Sequence, residues 1–159
     1  MSVLITAASH SAAYKLEKLL NQVDVFFADF MDLPKLSGKK YFKIPKGNSA
    51  SFAHEMLNLA LNEGIEKIFP LYPEEITALA EARQLFLEYG ISVIVPDVNR
   101  LKEIRKLPLS PDGFLVAYES GKQLTTKLPE GLLLNDQRLT GIFKIRMENK
   151  NTIINIFTV

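Results

Sequence analysis

The chain has 159 residues, 47% of them hydrophobic and 23% charged, enough to bury a sizeable core in one domain, or in one domain with an appendage. Lys and Arg number 19 against 18 Asp and Glu, so the overall field gives no reason to expect nucleic acid or an anionic membrane as partner. Cysteine is absent, which excludes disulfides, thiolate nucleophiles and Cys-based zinc sites, and the apolar run near the N-terminus is too short for a signal sequence or a membrane span, so a soluble cytoplasmic protein is expected.

Up to about Asp97, short β-rich runs alternate with helix-period segments, the pattern of βαβ units on a parallel sheet. Val3 to Ala7 reads as a first strand, and Ser9 or Ser11 as the cap of a helix carrying Ala12, Ala13, Leu16, Leu19 and Leu20 on one face. A second strand, Val23 to Ala28, ends at Asp29, and a third, Tyr41 to Ile44, is closed by Pro45. Asn48 to Ser51 offer N-caps for a helix with Phe52, Met56, Leu59 and Ala60 inward and Gly64 just past its end. Lys67 to Leu71 is a fourth strand. Pro73 then opens a helix whose stripe is Ile76, Leu79, Arg83, Phe86 and Leu87, and Ile91 to Val95 is a fifth strand ended by Pro96.

After Pro96, Arg100 to Lys106 form a short basic amphipathic segment, and LPLSPDG, with Pro108, Pro111 and Gly113, reads as a linker. FLVAYE, KQLTTKL, LTGIFKIRM and NTIINIFTV then predict antiparallel hairpins. The expected fold is therefore α/β: a Rossmann-like open parallel sheet over 1–97, a basic short helix and linker over 98–112, and a small antiparallel β extension over 113–159.

The turn after the first strand, Thr6 to Ser11, is where a dinucleotide fold keeps glycines, and here Ala7, Ala8, Ser9, His10 and Ser11 fill it. Hydroxyls and helical amides remain to hold an anion, but Cβ atoms obstruct the close approach that glycine permits, and a plain helix start accounts for the turn better. His10 lacks a nucleophile elbow around it, and His54 has no helical partner at i+4, so neither a hydrolase triad nor a histidine metal site is expected. Asp29 stands where a ribose-binding acid would stand, although without the glycines an ordinary loop acid is the better reading. Glu74 and Glu75 complement a helix dipole and diverge by about 100°, so they do not form a catalytic pair. Lys35, Lys39, Lys40, Lys43 and Lys46, and also Arg100, Lys102, Arg105 and Lys106, read as solvated surface before phosphate sites. Phe26, Phe27, Phe30, Tyr41 and Phe42 read as core or interface before stacking platforms.

VLITAASHSAAYKLEKLL, VDVFFADFMDLP, KKYFKIP and, most specifically, the run from Ile65 through Asp97 resemble the N-terminal domain that precedes the ATP-grasp module, as in biotin carboxylase and the carbamoyl phosphate synthetase large chain. The resemblance covers roughly the first three-fifths of the chain. The family's Gly-rich first turn is replaced by AASHS, and in place of the ATP-grasp module only RLKEIRK and a proline-rich turn follow. FLVAYESGKQLTTKLP and LTGIFKIRMENKNTIINIFTV are similar to late strands of that module. This alignment puts Asn155 at the position of a metal-binding glutamate, Phe157 at that of an asparagine, and Thr158 and Val159 at a Pro-Arg. Magnesium needs hard oxygen ligands, so the resemblance implies a lost metal site. An unrelated antiparallel extension explains this half nearly as well.

The function expected from these residues is a non-catalytic binding or interaction protein related to ATP-grasp ligases, without cofactor or metal. It would partner a separate ATP-grasp protein or hold a small anionic ligand, with Thr6, Ser9, His10 and Ser11 facing the anion and Asp29 and Glu74 rimming the crevice. The alternative is a reduced ATP-dependent carboxylate-amine ligase or a carbamoyl-phosphate-synthetase-like enzyme. A third reading is a homodimer formed through the apolar C-terminal strand NTIINIFTV.

Overall fold

The computed structural model describes residues 1–21, 23–34, 38–107, 112–126, 128–129, 131–132 and 134–159. Lys35 of the first basic stretch and the linker prolines Pro108 and Pro111 lie outside these. Five parallel strands form one sheet: β1 (Ser2–Ile5), β2 (Asp24–Asp29), β3 (Lys40–Lys43), β4 (Lys67–Phe69) and β5 (Ser92–Val93), in the order β3-β2-β1-β4-β5. Helices α1 (Ser11–Leu19), α2 (Phe52–Glu63) and α3 (Pro73–Glu88) connect them, and α4 (Val98–Arg105) follows β5. The fold is thus the expected Rossmann-like open sheet.

Strand alternation decides what each face of this sheet carries. Leu4, Phe26, Ile68 and Val93 pack with Phe52, Met56, Ile76, Leu79 and Phe86 of α2 and α3. Val3, Ile5, Phe27, Phe69 and Ile94 point the other way, onto Ala13 and Leu16 of α1. On this second face a sheet takes the place a further helix would occupy in a doubly wound fold. It consists of β6 (Phe114–Glu119), β7 (Lys122–Gln123), β8 (Gly141–Glu148) and β9 (Asn151–Ile156), antiparallel in the order β7-β6-β8-β9.

Ala117 and Ile142 of this second sheet enter the same cluster as Phe69 and Ile94. The Val159 amide donates to the Leu71 carbonyl at 3.0 Å, the Thr126 amide to Leu19 at 2.8 Å, and Lys67 pairs with Glu119. On its outer side Val116, Phe143 and Ile145 pack with Ile104, Leu132 and Leu139. Both hairpins turn through two consecutive left-handed residues, Ser120 and Gly121, and Asn149 and Lys150, as the twist of tight two-residue turns demands. β9 forms an edge of its sheet, the place where the expected pairing with a second copy would have to occur.

Several boundaries move for local reasons. The β4 ladder stops at Phe69 because Pro70 has no amide to offer, and the Leu71 amide turns to the Thr6 hydroxyl instead. The N-cap of α1 is His10, whose side chain caps nothing; Ser9 is committed elsewhere and Ser11 is already the first helical residue. On α3, Leu87 is exposed and Arg83 only half-buried, while Glu75 and Ala80 turn inward. Leu87 lies one residue, about 100°, beyond the buried Phe86 and so leaves the packed face. The basic segment, up to Arg105, falls within α4 with Lys106 as its C-cap, and the helix is capped at its start by Asp97, whose carboxylate accepts from the Arg100 amide at 2.9 Å. Among the described residues of KQLTTKL only Lys122–Gln123 is strand, and the described residues between there and β8 are irregular.

Candidate functional site at the strand crest

The strand order reverses its direction of winding between β1 and β4, so the crevice of this sheet opens at their carboxyl ends. Four segments meet there: Thr6–Ser9 after β1, Asp29–Phe30 closing β2, Lys46–Asn48 after β3, and Leu71–Glu75 entering α3. Ala7 holds a left-handed backbone, φ 54°, so the turn keeps a glycine-like shape without a glycine. The His10 amide closes that turn onto the Ala7 carbonyl at 2.9 Å.

Two wholly buried carboxylates lie beneath the turn. Asp29 is fully used. Its Oδ2 accepts from the Ser9 amide at 2.9 Å and the Ser9 hydroxyl at 2.8 Å, and its Oδ1 accepts from the Met31 amide at 3.0 Å. The Tyr72 hydroxyl stands 3.2 Å from Ser9 Oγ, and burial raises its pKa. Glu75 is held differently. Thr6 Oγ1 donates to its Oε2 while accepting from the Leu71 amide at 2.9 Å, and Oε1 has no hydrogen-bond partner among the described residues.

The sequence reason for the Glu75 position is helix-start arithmetic. Pro73 is the first helical residue, so Tyr72 is the N-cap and Glu75 the third residue in, from which a glutamate reaches back to the N-cap amide. Burial pushes its carboxyl up to about 7; bonds from Thr6 and the Tyr72 amide act against that, and the nearby Asp29 charge adds to it. Gly47 seals the arrangement. A Cβ there would fall on the Glu75 backbone nitrogen and 2.7 Å from the Glu74 carbonyl carbon, so only glycine lets the loop after β3 lie on the first turn of α3.

Beside this sealed layer is an open cavity of about 180 Å³ lined by Phe30, Lys46, Gly47, Asn48, Tyr72 and Glu74. Phe30 and Tyr72 form its aromatic walls, with ring centroids 5.2 Å apart, and the Lys46 ammonium lies 5.2 Å from the Phe30 centroid. His10 is exposed and meets Tyr72 edge-on at 5.7 Å.

The structure therefore brings Thr6, Ser9 and Asp29 together at the crest but spends their groups in two separate pairs, the buried Thr6 on Glu75 and the exposed Ser9 on Asp29. Glu74 is exposed on the cavity wall, His10 stands at the mouth, and Ser11 is exposed at the start of α1. No protein-family model matches the chain, and neither does any curated protein.

Much of the basic surface has structural work. Lys39 pairs with Glu17 and Lys43 with Asp32, both at 2.6 Å, Lys40 lies over the Phe26 ring, and Arg105 bonds Thr77 and the Pro73 carbonyl. Phe26 and Phe27 are core, with Tyr41 and Phe42 stacked on them; Phe30 leaves the core for the cavity. Asn155 is buried on β9 opposite Lys144, and Phe157 packs into the second cluster. Among the described residues no group of three or more His, Asp or Glu side chains is placed to hold a metal ion, and no helix is long and apolar enough to cross a membrane.

Tyr72 and the burial of Glu75 escaped the sequence reading, which took Phe30 for core or interface, Lys46 for solvated surface and Asn48 for a helix cap. The capping arithmetic from Pro73 was the available signal for Glu75 and Tyr72. The glycine in KGNS, directly after a strand, was the signal for the loop.

Proposed function

We propose that this chain is a non-catalytic binding protein that takes a small carboxylate-bearing metabolite at the crest of its parallel sheet. One observation carries the reading: an ammonium and an amide, Lys46 and Asn48, line a small aromatic-walled cavity at the place where open α/β sheets bind ligands. The ligand's carboxylate would take the hydrogen bonds of Lys46 and Asn48, and its apolar part would lie against Phe30 and Tyr72. Glu74 on the same wall favours a ligand that also carries an amine. The turn hydroxyls of Ser9 and Thr6 fix the crest's shape from beneath. A separately encoded ATP-grasp protein, the partner that the sequence resemblance implies, would meet the ligand across this same crest.

The test is a calorimetric titration of the protein with small carboxylates and amino acids, with Mg-ATP in parallel. A ligand from the first panel should bind, and Lys46→Ala should weaken it roughly tenfold, the value of one charge-assisted hydrogen bond. Folding stability should stay within about 0.5 kcal/mol, because Lys46 is exposed. Binding indifferent to Lys46→Ala would remove the cavity from the reading. Saturable, magnesium-dependent ATP binding would favour the reduced-ligase alternative.

A further inference from the structure

At the opposite end of the parallel sheet, where β4 and β5 begin, lies a second cleft of about 410 Å³. It is lined by Arg83 of α3, Ser92 of β5, Glu119, Ser120 and Lys122 of the first hairpin, and Thr140 before β8, with Leu87 and Val93 as apolar wall. These residues come from both sheets and from a helix, so the cleft exists only because the antiparallel sheet is docked.

Its charge balance is unusual for this molecule. Glu119 is already neutralised: burial alone would raise its carboxyl, but hydrogen bonds from Lys67 and Ser92 hold it below the ordinary carboxylate range. Neither Arg83 nor Lys122 makes an ion pair within 4 Å among the described residues. The recess therefore holds two cations against one carboxylate, and that carboxylate is ion-paired with Lys67, with Lys122 adding to its lowered pKa only through its nearby charge. Four other clefts carry at least as many carboxylates as cations, the crest cavity with Lys46 and Glu74 among them.

The hydroxyls complete a set of donors. Thr140 is buried, and its Oγ1 accepts from the Ser120 amide at 2.9 Å, which leaves its own proton to donate. That bond also fixes the left-handed Ser120 turn that carries Lys122 to the cleft. Guanidinium, ammonium and hydroxyl donors around a recess with an apolar wall match a phosphate group, whose two negative charges and several acceptor oxygens need several donors at once.

We propose that this cleft binds a phosphate group, either free or carried on a small organic molecule that rests against Leu87. The inference is independent of the crest cavity. Inorganic phosphate and phenyl phosphate are titrated into isotopically labelled protein at constant ionic strength, with chloride as control, following the amide signals of Ser120, Gly121 and Thr140. These signals should shift and saturate with phosphate and not with chloride. Arg83→Gln and Lys122→Gln should each weaken binding roughly tenfold and the double variant more. Tighter binding of phenyl phosphate would identify a carried phosphate group, and equal binding a free one. Wild-type signals that move no more in phosphate than in chloride overturn the proposal without any variant, as does an affinity unchanged in the folded double variant.

Discussion

Replacing Glu75 by Gln should make the protein more stable at neutral and alkaline pH, although it removes a charge that accepts a hydrogen bond. The carboxyl sits wholly buried, and burial raises its proton affinity from the ordinary 4.5 to about 7. Between those values the folded state binds more protons than the unfolded state. The contribution of Glu75 to stability is therefore fully present below about 4.5, declines as pH rises, and is lost above about 7. Each tenfold change in proton affinity is worth about 1.4 kcal/mol, so the displacement amounts to about 3 kcal/mol, a large part of the 5–15 kcal/mol that holds a typical domain together. Glutamine keeps an oxygen for Thr6 and for the N-cap amide of Tyr72, and it carries no charge to desolvate. Urea denaturation of both proteins at pH 4.5, 6, 7 and 8 should give curves that nearly coincide in acid and separate by up to about 3 kcal/mol at pH 8, glutamine ahead. Groups that titrate alike in both proteins cancel in the difference. A pH-independent gap, or a glutamine variant less stable than wild type at pH 8, would refute the assignment of Glu75 as a strained, charge-averse carboxyl.

Gly47→Ala should cost about 1–3 kcal/mol by chemical denaturation, because the atoms in its path are backbone of Glu74 and Glu75 and cannot swing aside as a side chain would. The same substitution should weaken ligand binding at the crest, since the loop it displaces carries Lys46 and Asn48. Lys67→Met should cost about 1–3 kcal/mol, as it leaves the Glu119 carboxylate in a largely buried place without its cation. Removing Lys67 also removes a cause of the depressed Glu119 pKa, so the stability that Glu119 supplies above its unfolded value should be lost at a higher pH as solutions are acidified. Denaturation midpoints of Lys67→Met and of Lys67→Met with Glu119→Leu check both points, and the double variant should recover part of the loss.

The parallel sheet was legible because its strands are short, rich in apolar residues and separated by helices with clear limits, Pro73 opening one and Gly64 and Gly90 standing just past the ends of two. Strand ends were less legible: Pro70 and Leu71 are as apolar as Phe69, and only the missing proline amide and the pull of the Thr6 hydroxyl end the ladder. The crest was half visible. Residues beside the first turn drew attention because dinucleotide folds keep their ligand there, and Thr6, Ser9 and Asp29 do converge. The Thr6 hydroxyl is spent on Glu75 and the Ser9 hydroxyl on Asp29, a matter of which hydroxyl meets which carboxylate across 20 to 69 positions of sequence. Lys46 looked like one lysine among several, and only the placement of its loop against Tyr72 separates it from Lys39 and Lys43, which are paired elsewhere.

The docking of the antiparallel sheet sets a schedule for synthesis. Once β5 has emerged from the ribosome, every parallel strand is available, yet Phe69 and Ile94 still wait for Ala117 and Ile142 to cover them, and the Leu71 carbonyl for the Val159 amide. At about 5–20 residues per second, the remaining stretch of the chain takes seconds to appear. During that interval the nascent protein presents a greasy, half-finished face, so chaperone demand and the fate of chains terminated after β5 should depend on the antiparallel strands that follow rather than on the parallel ones.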